Sequence, residues 1–339
     1  MAQPDIFNND AFSMRSLTLA IKKQTYVPTR LSELNLFEAR GIDTTTVSID
    51  IAQDAVRLVP SQARGSTPTT VVGTKYESRP FSTIHLPQRS NILAAQLQDI
   101  RLFGEEGGPS NAALQAKIDE LLMDHVSNIN LTMENLRLGA IKGTLLDADG
   151  SSVILDIHNA MGTTETQFDW DLDTDATDIR NQCMAFKRLV ESKLGKVGYR
   201  GLRVLCGADF FDAFTSHPLV VASWNRFNES SMQRDDLRNG FTYAGITFEE
   251  YRGGEGVTIE ADEAWGFPEG VQGMFIERYA PADYMEAANT MGIDFYSKSE
   301  PMPFDKGITI ETQSNPLVLN TRPNAVVRGG QNAAVVAAW

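Results

Sequence analysis

The sequence predicts an α+β fold, and three observations lead to this class. A β-branched run from Thr44 to Val59 and a second extended run from Tyr76 to Pro87 predict a long two-stranded ribbon. Apolar residues at spacings of mostly three and four between Leu114 and Ile141 predict a long helix. The later strand patterns do not alternate with helices regularly enough for a doubly wound α/β sheet.

The composition limits the classes of function. The chain has 339 residues, which suggests about two compact units, and its hydrophobic content of 42% is sufficient for a substantial core. The formal net charge of -14 leaves no broad basic face for phosphate backbones, so a conventional nucleic-acid binder is not expected. The N-terminus has no signal-peptide pattern and no apolar run is long enough to span a membrane, so we expect a soluble cytoplasmic product.

The N-terminal part is predicted to be an arm followed by the ribbon. Residues 1 to 45 contain one short helical pattern, Phe12 to Ile21, and are otherwise irregular. About fifteen residues per ribbon strand, at 3.3 Å each, would span roughly 50 Å. Because isolated two-stranded ribbons are marginally stable in water, we expect a neighbouring subunit to cover this one.

The long helix has plausible signals at both ends. Ser110 is a candidate N-cap and Gly143 a candidate stop, which gives about 30 residues and a length of roughly 45 Å. Asn128, Asn130 and Glu134 interrupt a strict heptad. The helix is therefore predicted to be the spine of a flat domain and not a coiled coil.

The second half of the chain mixes short helices with strands. One amphipathic helix is predicted with Ile179, Cys183, Phe186, Val190 and Leu194 on a single face. A second helix is predicted for ADFFDAFTSH. Strands are predicted, in chain order, for LRVLCG, FTYAGITFEEYRG, VQGMFIERY, IDFYSKSE, GITIETQSN and LVLNTRP. Cys183 and Cys206 match no zinc spacing and are expected to be buried free thiols.

Two carboxylate clusters are candidate metal or active sites. The first places Asp147, Asp149 and Asp156 around a glycine, directly after the long helix. A calcium loop beginning at Asp147 needs glycine at position 6 and glutamate at position 12, where this chain has Ser152 and His158. A turn is the favoured interpretation, and a metal site is the alternative.

The same stretch is typical of a β-hairpin. Asp149-Gly150 is among the strongest two-residue turn signals. The flanking residues Thr144 to Leu146 can pair with Val153 to Leu155. The sequence thus predicts a hairpin that leads away from the end of the long helix.

The second cluster lies in the segment DWDLDTDATD and contains Asp169, Asp171, Asp173 and Asp175. In an extended chain these carboxylates would point the same way and could hold a hard cation. Thr174 and Arg180 stand where a calcium loop needs glycine and glutamate. We therefore expect a solvated acidic loop leading into a helix, whose dipole favours Asp175 and Asp178.

Motifs of enzymes are missing from the sequence. The four histidines, His85, His125, His158 and His217, lie in different segments, and no HExxH, GxSxG or Walker A pattern occurs. The glycine-rich stretch 253 to 256 lacks the third glycine of a dinucleotide fingerprint. The prediction is that the chain has no catalytic residue, no cofactor-binding residue and no metal ligand.

Several segments in chain order resemble the major capsid proteins of lambda-like tailed phages, the major capsid protein E family, which share the HK97-type capsid fold. The resemblance covers most of the chain. The segments that carry it are SLTLAIKK, LNLFEARGIDTTTVSID, ENLRLGAIKGTLLDADG, GITFEEYRG, ERYAPADYMEAANTMG and SNPLVLNTRP.

The resemblance implies a domain layout. Residues 1–45 would form an N-terminal arm and residues 46–92 the extended hairpin called the E-loop. Residues 93–170 with 293–339 would form the peripheral (P) domain with its long spine helix, and residues 171–292 the axial (A) domain.

The resemblance also implies a structural function without enzyme activity or cofactor. Copies of the chain would form the hexamers and pentamers of an icosahedral shell that encloses a double-stranded DNA genome. A decoration protein, a scaffold protein and a portal would be its partners, and the DNA would be contacted weakly and without sequence specificity. The product would belong to the virion and be assembled in the host cytoplasm; covalent lysine–asparagine crosslinking is not implied for any residue.

Two alternatives are kept open by the sequence. One is an encapsulin-like nanocompartment shell of the same fold, which would enclose cargo enzymes and not DNA. The other is a metal-dependent hydrolase that uses the acidic cluster from Asp169 to Asp178.

Overall fold

The structure is a computed structural model that describes residues 14–23, 29–52, 76–95, 111–227, 237–253 and 256–337. The predicted N-cap at position 110 and the ribbon tip at positions 61 to 75 lie outside these ranges. The helices are α1 (Met14–Lys23), α2 (Arg30–Glu33), α3 (Asn111–Lys142), α4 (Ile157–Met161), α5 (Ile179–Leu194), α6 (Ala208–Ser216), α7 (Pro218–Phe227) and α8 (Ala333–Ala337).

The strands form five sheets among the described residues. Their bounds are β1 (Glu38–Gly41), β2 (Thr46–Ala52), β3 (Tyr76–Ser82), β4 (Leu86–Leu93), β5 (Thr144–Leu146), β6 (Val153–Asp156), β7 (Thr166–Asp169), β8 (Gly201–Cys206), β9 (Phe241–Tyr243), β10 (Ile246–Glu250), β11 (Glu263–Glu269), β12 (Phe275–Tyr279), β13 (Tyr296–Pro301), β14 (Gly307–Ser314), β15 (Pro316–Asn320) and β16 (Val327–Gly330). The sheet orders are β7-β16-β11-β8-β10-β9, β1-β12-β15, β13-β14-β4, β2-β3 and β5-β6.

The long helix α3 is confirmed, with 32 residues and a length of about 48 Å. It ends where Gly143 adopts a positive φ of 85°. Its C-terminal part is buried on nearly all sides, with Leu136, Leu138, Ala140 and Ile141 each at most 3% exposed. A helix that is buried all round needs other elements to surround it, so α3 is the centre of the fold.

The six-stranded sheet carries a second core rich in aromatic residues. Helix α5 lies on it with all five residues of the predicted face buried. The ring centroid of Trp170 lies within about 6 Å of those of five phenylalanines, Phe168, Phe186, Phe210, Phe214 and Phe248. Such ring pairs add stabilisation beyond the area that they bury.

The ribbon consists of β2 and β3, and strand β4 follows it in the chain. Strands β2 and β3 are antiparallel over seven residue pairs, from Thr46 opposite Ser82 to Ala52 opposite Tyr76. Strand β4 then pairs with β14 over its full length. Strand β4 overlaps the range 46–92 predicted for the E-loop, but it belongs to the three-stranded sheet β13-β14-β4 and not to the ribbon.

The root of the ribbon buries one face and exposes the other. Val47, Ile49 and Phe81 pack against the core around α3, while Ser48 and Pro80 are exposed. The alternation is that of a half-buried strand pair. The root of the ribbon thus packs on its own subunit. A neighbouring copy is therefore expected to cover the opposite, exposed face of the ribbon and the residues beyond its root.

Some elements have no counterpart in the sequence prediction. The arm contains α2 and β1, which have four residues each and are too short to show a period. Strand β11 lies in the middle of the six-stranded sheet, although it contains Gly266 and Pro268. Its Gly266 is required by packing, because a Cβ there would lie 2.3 Å from Cζ of Phe186.

Replacing this glycine should destabilise the aromatic core. We expect Gly266→Val to lower the free energy of unfolding by about 1–3 kcal/mol or more, because the Phe186 ring has no room to move. Urea unfolding measures the change. Gly198→Val is the matched control, since no atom lies within 4 Å of a Cβ at that exposed position; equal losses for both variants would contradict the packing account.

Candidate assembly surfaces

A buried carboxylate in the last third of α3 joins three parts of the fold. Oε1 of Glu134, whose side chain is 1% exposed, accepts the backbone N–H of Leu31 and the hydroxyl of Tyr251, both at 2.9 Å. One turn further, Arg137 donates to both carboxylate oxygens of Glu277 in β12, at 2.5 and 3.3 Å. The helix is therefore bonded to the arm, to the residue that follows β10 of the six-stranded sheet, and to β12. These bonds satisfy polar groups that would be costly to bury without partners.

A second ionic group ties α2 directly to the six-stranded sheet. Arg30 and Arg203 both donate to the buried carboxylate of Glu249 in β10, and Arg203 also donates to Glu269 in β11. The hydrogen bond to Glu249 is the largest cause that raises the pKa of Arg30 above its usual value. The arm is thus fixed at two points, one on the long helix and one on the sheet.

The first carboxylate cluster forms a loop and has its own hydrogen-bond donors. The carboxylate of Asp149 accepts the N–H groups of Ser151 and Ser152 at 2.9 and 2.8 Å and the Ser152 hydroxyl at 2.6 Å. These bonds lower the pKa of Asp149. Asp156 caps α4 through the N–H of Asn159 at 2.9 Å.

The hairpin of β5 and β6 is confirmed, but the two-residue turn is wrong. Residues 147 to 152 connect the strands, and the N–H of Gly150 donates to the carbonyl of Asp147 at 2.9 Å, which places both aspartates in one β-turn. The pairing also shifts register between Leu145 and Leu146. A bulge and the side-chain bonds of Asp149 lengthen the connection beyond the minimum that Asp-Gly allows.

The second cluster is also a loop before a helix. Asp171 has a positive φ of 50° and accepts the hydroxyls of Thr174 and Thr177 at 3.0 and 2.6 Å, which lowers its pKa. Asp178 caps α5 by accepting the N–H of Asn181 at 3.2 Å. Across the described ranges, no three His, Cys, Asp or Glu side chains are grouped so that they could hold a metal ion.

His125 and both cysteines are buried within the fold. His125 lies between the hydroxyls of Ser90 and Thr312, at 2.7 and 3.1 Å. Cys183 and Cys206 are buried free thiols, as expected, and burial raises the pKa of Cys183 to about 12. None of the helices that the structure describes combines the length and the apolarity needed to cross a membrane.

An apolar groove lies at the root of the ribbon. It has a volume of about 520 Å³ and is bounded by the chain from Pro80 to Leu86 on one side and by the hairpin residues Leu145 and Leu155 on the other. Asp147 also lines the groove and is exposed. The groove is a candidate surface for contact with another macromolecule, because large apolar concavities on a subunit are characteristic of binding sites.

Large apolar side chains are also exposed elsewhere. Among the residues that the structure describes, the most exposed of these are Met285, Phe304, Met291 and Val153, at 94%, 90%, 66% and 58%. Such side chains are typical of surfaces that another protein covers. The arrangement therefore favours a protein that functions through contacts between macromolecules.

The buried Glu134 should be essential for the junction. We expect Glu134→Ala to destabilise the subunit by about 2–4 kcal/mol, because the Leu31 N–H and the Tyr251 hydroxyl both lose their acceptor. Thermal or urea unfolding measures this. Glu120→Ala on the same helix removes only an exposed pair with Lys117 and should change the free energy of unfolding by about 0.5 kcal/mol or less; a loss of that small size for Glu134→Ala would contradict the junction.

The stability of the fold should fall in mild acid. Burial is the largest cause that lowers the pKa of His125 below 6.5. The unfolded chain then binds this proton more readily, so the free energy of unfolding decreases as the pH falls from about 6.5 through the folded pKa. His125→Gln should flatten the dependence between pH 7.5 and 5 by at most about 1.4 kcal/mol per pH unit. Unchanged slopes in unfolding curves of the two proteins would refute this.

Comparisons with known proteins identify the family. A profile of the family described as "Phage major capsid protein E" matches residues 13–331. The chain is 23% identical over 318 residues to the major capsid protein of Pseudomonas phage KPP10, covering 85% of this chain and 89% of that protein. It is 24% identical over 335 residues to the major capsid protein of Salmonella phage Felix O1, covering 88% and 90%.

Solved structures agree on the fold. The chain superimposes on a subunit of the mature capsid of bacteriophage PhiM1 with a TM-score of 0.54 and 11% identity, covering 91% of this chain and 88% of that one. For the capsid of cyanophage Pam1 the TM-score is 0.50 and the identity 13%, and the match covers 92% of this chain and 95% of that one. The α+β fold is therefore the HK97-type capsid fold, and the chain belongs to the phage major capsid protein E family.

Proposed function

We propose that copies of this chain form the pentamers and hexamers of an icosahedral shell around a double-stranded DNA genome, assembled in the host cytoplasm. The observation that carries the proposal is the match to a capsid family over nearly the whole chain, residues 13–331. A phage major capsid protein is the structural component of the virion shell and acts in many copies. The proposal adds the type of capsomer, the content of the shell and the place of assembly.

The proposal includes the domain layout. Residues 1–45 act as the N-terminal arm, 46–92 as the E-loop, 93–170 with 293–339 as the P domain, and 171–292 as the A domain. Two observations support it: the aromatic core between Trp170 and Phe248 lies almost entirely within the A-domain range 171–292, and α3 packs on strands from both ends of the chain. The arm is held by Arg30 and Leu31, at the two points already described.

The electrostatics of assembly require large interfaces. Each copy carries a net charge of -14, so neighbouring copies repel each other, although salt screens exposed charges over about 8 Å at physiological strength. Obligate interfaces of roughly 2,000 Å² or more can overcome this repulsion. The exposed face of the ribbon and the apolar groove at its root are surfaces that would contribute.

The charge also bears on the partners. An acidic subunit has no strong attraction for DNA, which suits weak and non-specific contact with a packaged genome. A decoration protein, a scaffold protein and a portal are expected by resemblance to the family. Membership of a phage family favours this function over a nanocompartment for cargo enzymes, and the loop-bonded carboxylates of Asp149 and Asp171 do not support a hydrolase.

Electron microscopy of the expressed protein tests the proposal. We expect capsomers, tubes or closed particles, either from the chain alone or when it is produced together with neighbouring head genes. Persistent monomers in both conditions would contradict it.

Deleting residues 61–75 at the predicted ribbon tip is a sharper test. We expect the variant to fold, because the described ribbon root and its core contacts stay intact, but to fail in forming particles. Circular dichroism and electron microscopy measure the two properties. A variant with the same 15 positions replaced by Gly and Ser is the control for length, and normal particles from both variants would refute the assembly role of the tip.

A further inference from the structure

The tip between β13 and β14 has an unusual residue. Phe304 is 90% exposed and has a φ of 63° within the turn Pro303–Asp305. A bulky aromatic residue rarely adopts this left-handed conformation, which is sterically costly, and an exposed ring gains little burial within the subunit. The Nζ of Lys306 lies 5.7 Å from the centroid of this ring. A strained and exposed aromatic side chain is expected where it is used in a contact.

The sheet holds this tip rigidly. The carbonyl of Lys306 accepts the N–H of Ala94 at 2.9 Å, and the N–H of Met302 donates to the carbonyl of Gly307 at 2.9 Å. Leu93 lies opposite Gly307 in the β4–β14 pairing and is 41% exposed. The tip therefore presents Phe304 as an apolar projection with one adjacent positive charge.

The groove at the ribbon root is complementary to this projection. Its volume of about 520 Å³ is large enough for an aromatic side chain. Its lining residues include Phe81, Ile84, Leu155 and Leu317, and the exposed Asp147 among them supplies a negative charge. The apolar ring of Phe304 with the cation Lys306 thus matches the apolar groove with the carboxylate of Asp147, which lies on another surface of the same molecule.

We propose that Phe304 of one copy enters the ribbon-root groove of a second copy, with Lys306 beside Asp147 of that copy. The contact is heterologous, because two different surfaces of identical subunits meet, and such contacts repeat into rings or lattices. It rests on the proposed function, which supplies the second copy. Opposite charges at the contact also offset part of the repulsion between subunits of charge -14.

Substitution of Phe304 separates an interface role from a structural role. Asn tolerates a positive φ better than Phe does, so Phe304→Asn should leave the thermal midpoint of the subunit unchanged or higher. Its particle yield in electron microscopy should nevertheless fall at least tenfold, as for a central interface anchor. Phe304→Trp should assemble.

Met285→Asn is the control, because Met285 is similarly exposed, at 94%, and lies in a different loop. An equal loss of particle yield for Met285→Asn would overturn the assignment to Phe304.

Charge reversal tests the pairing itself and does not depend on Phe304 variants folding. Lys306→Glu and Asp147→Lys should each reduce particle yield, and the double variant should recover most of it. Failure of the double variant to recover, or normal particles from Phe304→Asn, would overturn the proposal while wild-type particles still support the shell function. Absence of particles from every protein, the wild type included, would overturn both.

Discussion

The fold depends on the burial of a single 32-residue helix. Residues 136 to 141 of α3 include four apolar side chains that are at most 3% exposed, so this segment is stable only when other elements enclose it. Glu134 and Arg137 add a second requirement, because buried charged groups need partners with good geometry. The arm, the end of β10 and strand β12 supply those partners, and the helix thereby fixes where each of them lies.

The elements with a strong period were predictable from the sequence. The long helix, its stop at Gly143, the buried face of α5 and the hairpin after α3 all follow from local patterns and are present. Strand β11 was not predictable, since Gly266 and Pro268 weaken a strand pattern and only the Phe186 ring explains the glycine. The order of the sheets depends on contacts between distant segments, such as β4 with β14, which no local signal encodes.

The partners of the buried carboxylates and the roles of the acidic clusters were harder to predict from the sequence. In the sequence Glu134 only interrupts a heptad, and its partner Leu31 contributes a backbone N–H that any residue could supply. Glu249 and Glu277 carried a usable signal, because a carboxylate within a buried strand pattern needs a cation, which Arg203 and Arg137 provide. The two acidic clusters resemble metal sites in composition, whereas their hydrogen bonds show capping and turn formation.

The central claim is that the subunit is completed by other copies of itself in a shell. A cryo-electron microscopy reconstruction of assembled particles tests it most directly. The account predicts closed particles in which α3 is continuous over residues 111–142 and the outer face of the ribbon, residues 46–82, lies against another copy. Particles in which the ribbon folds back onto its own subunit and makes no contact with another copy would contradict it.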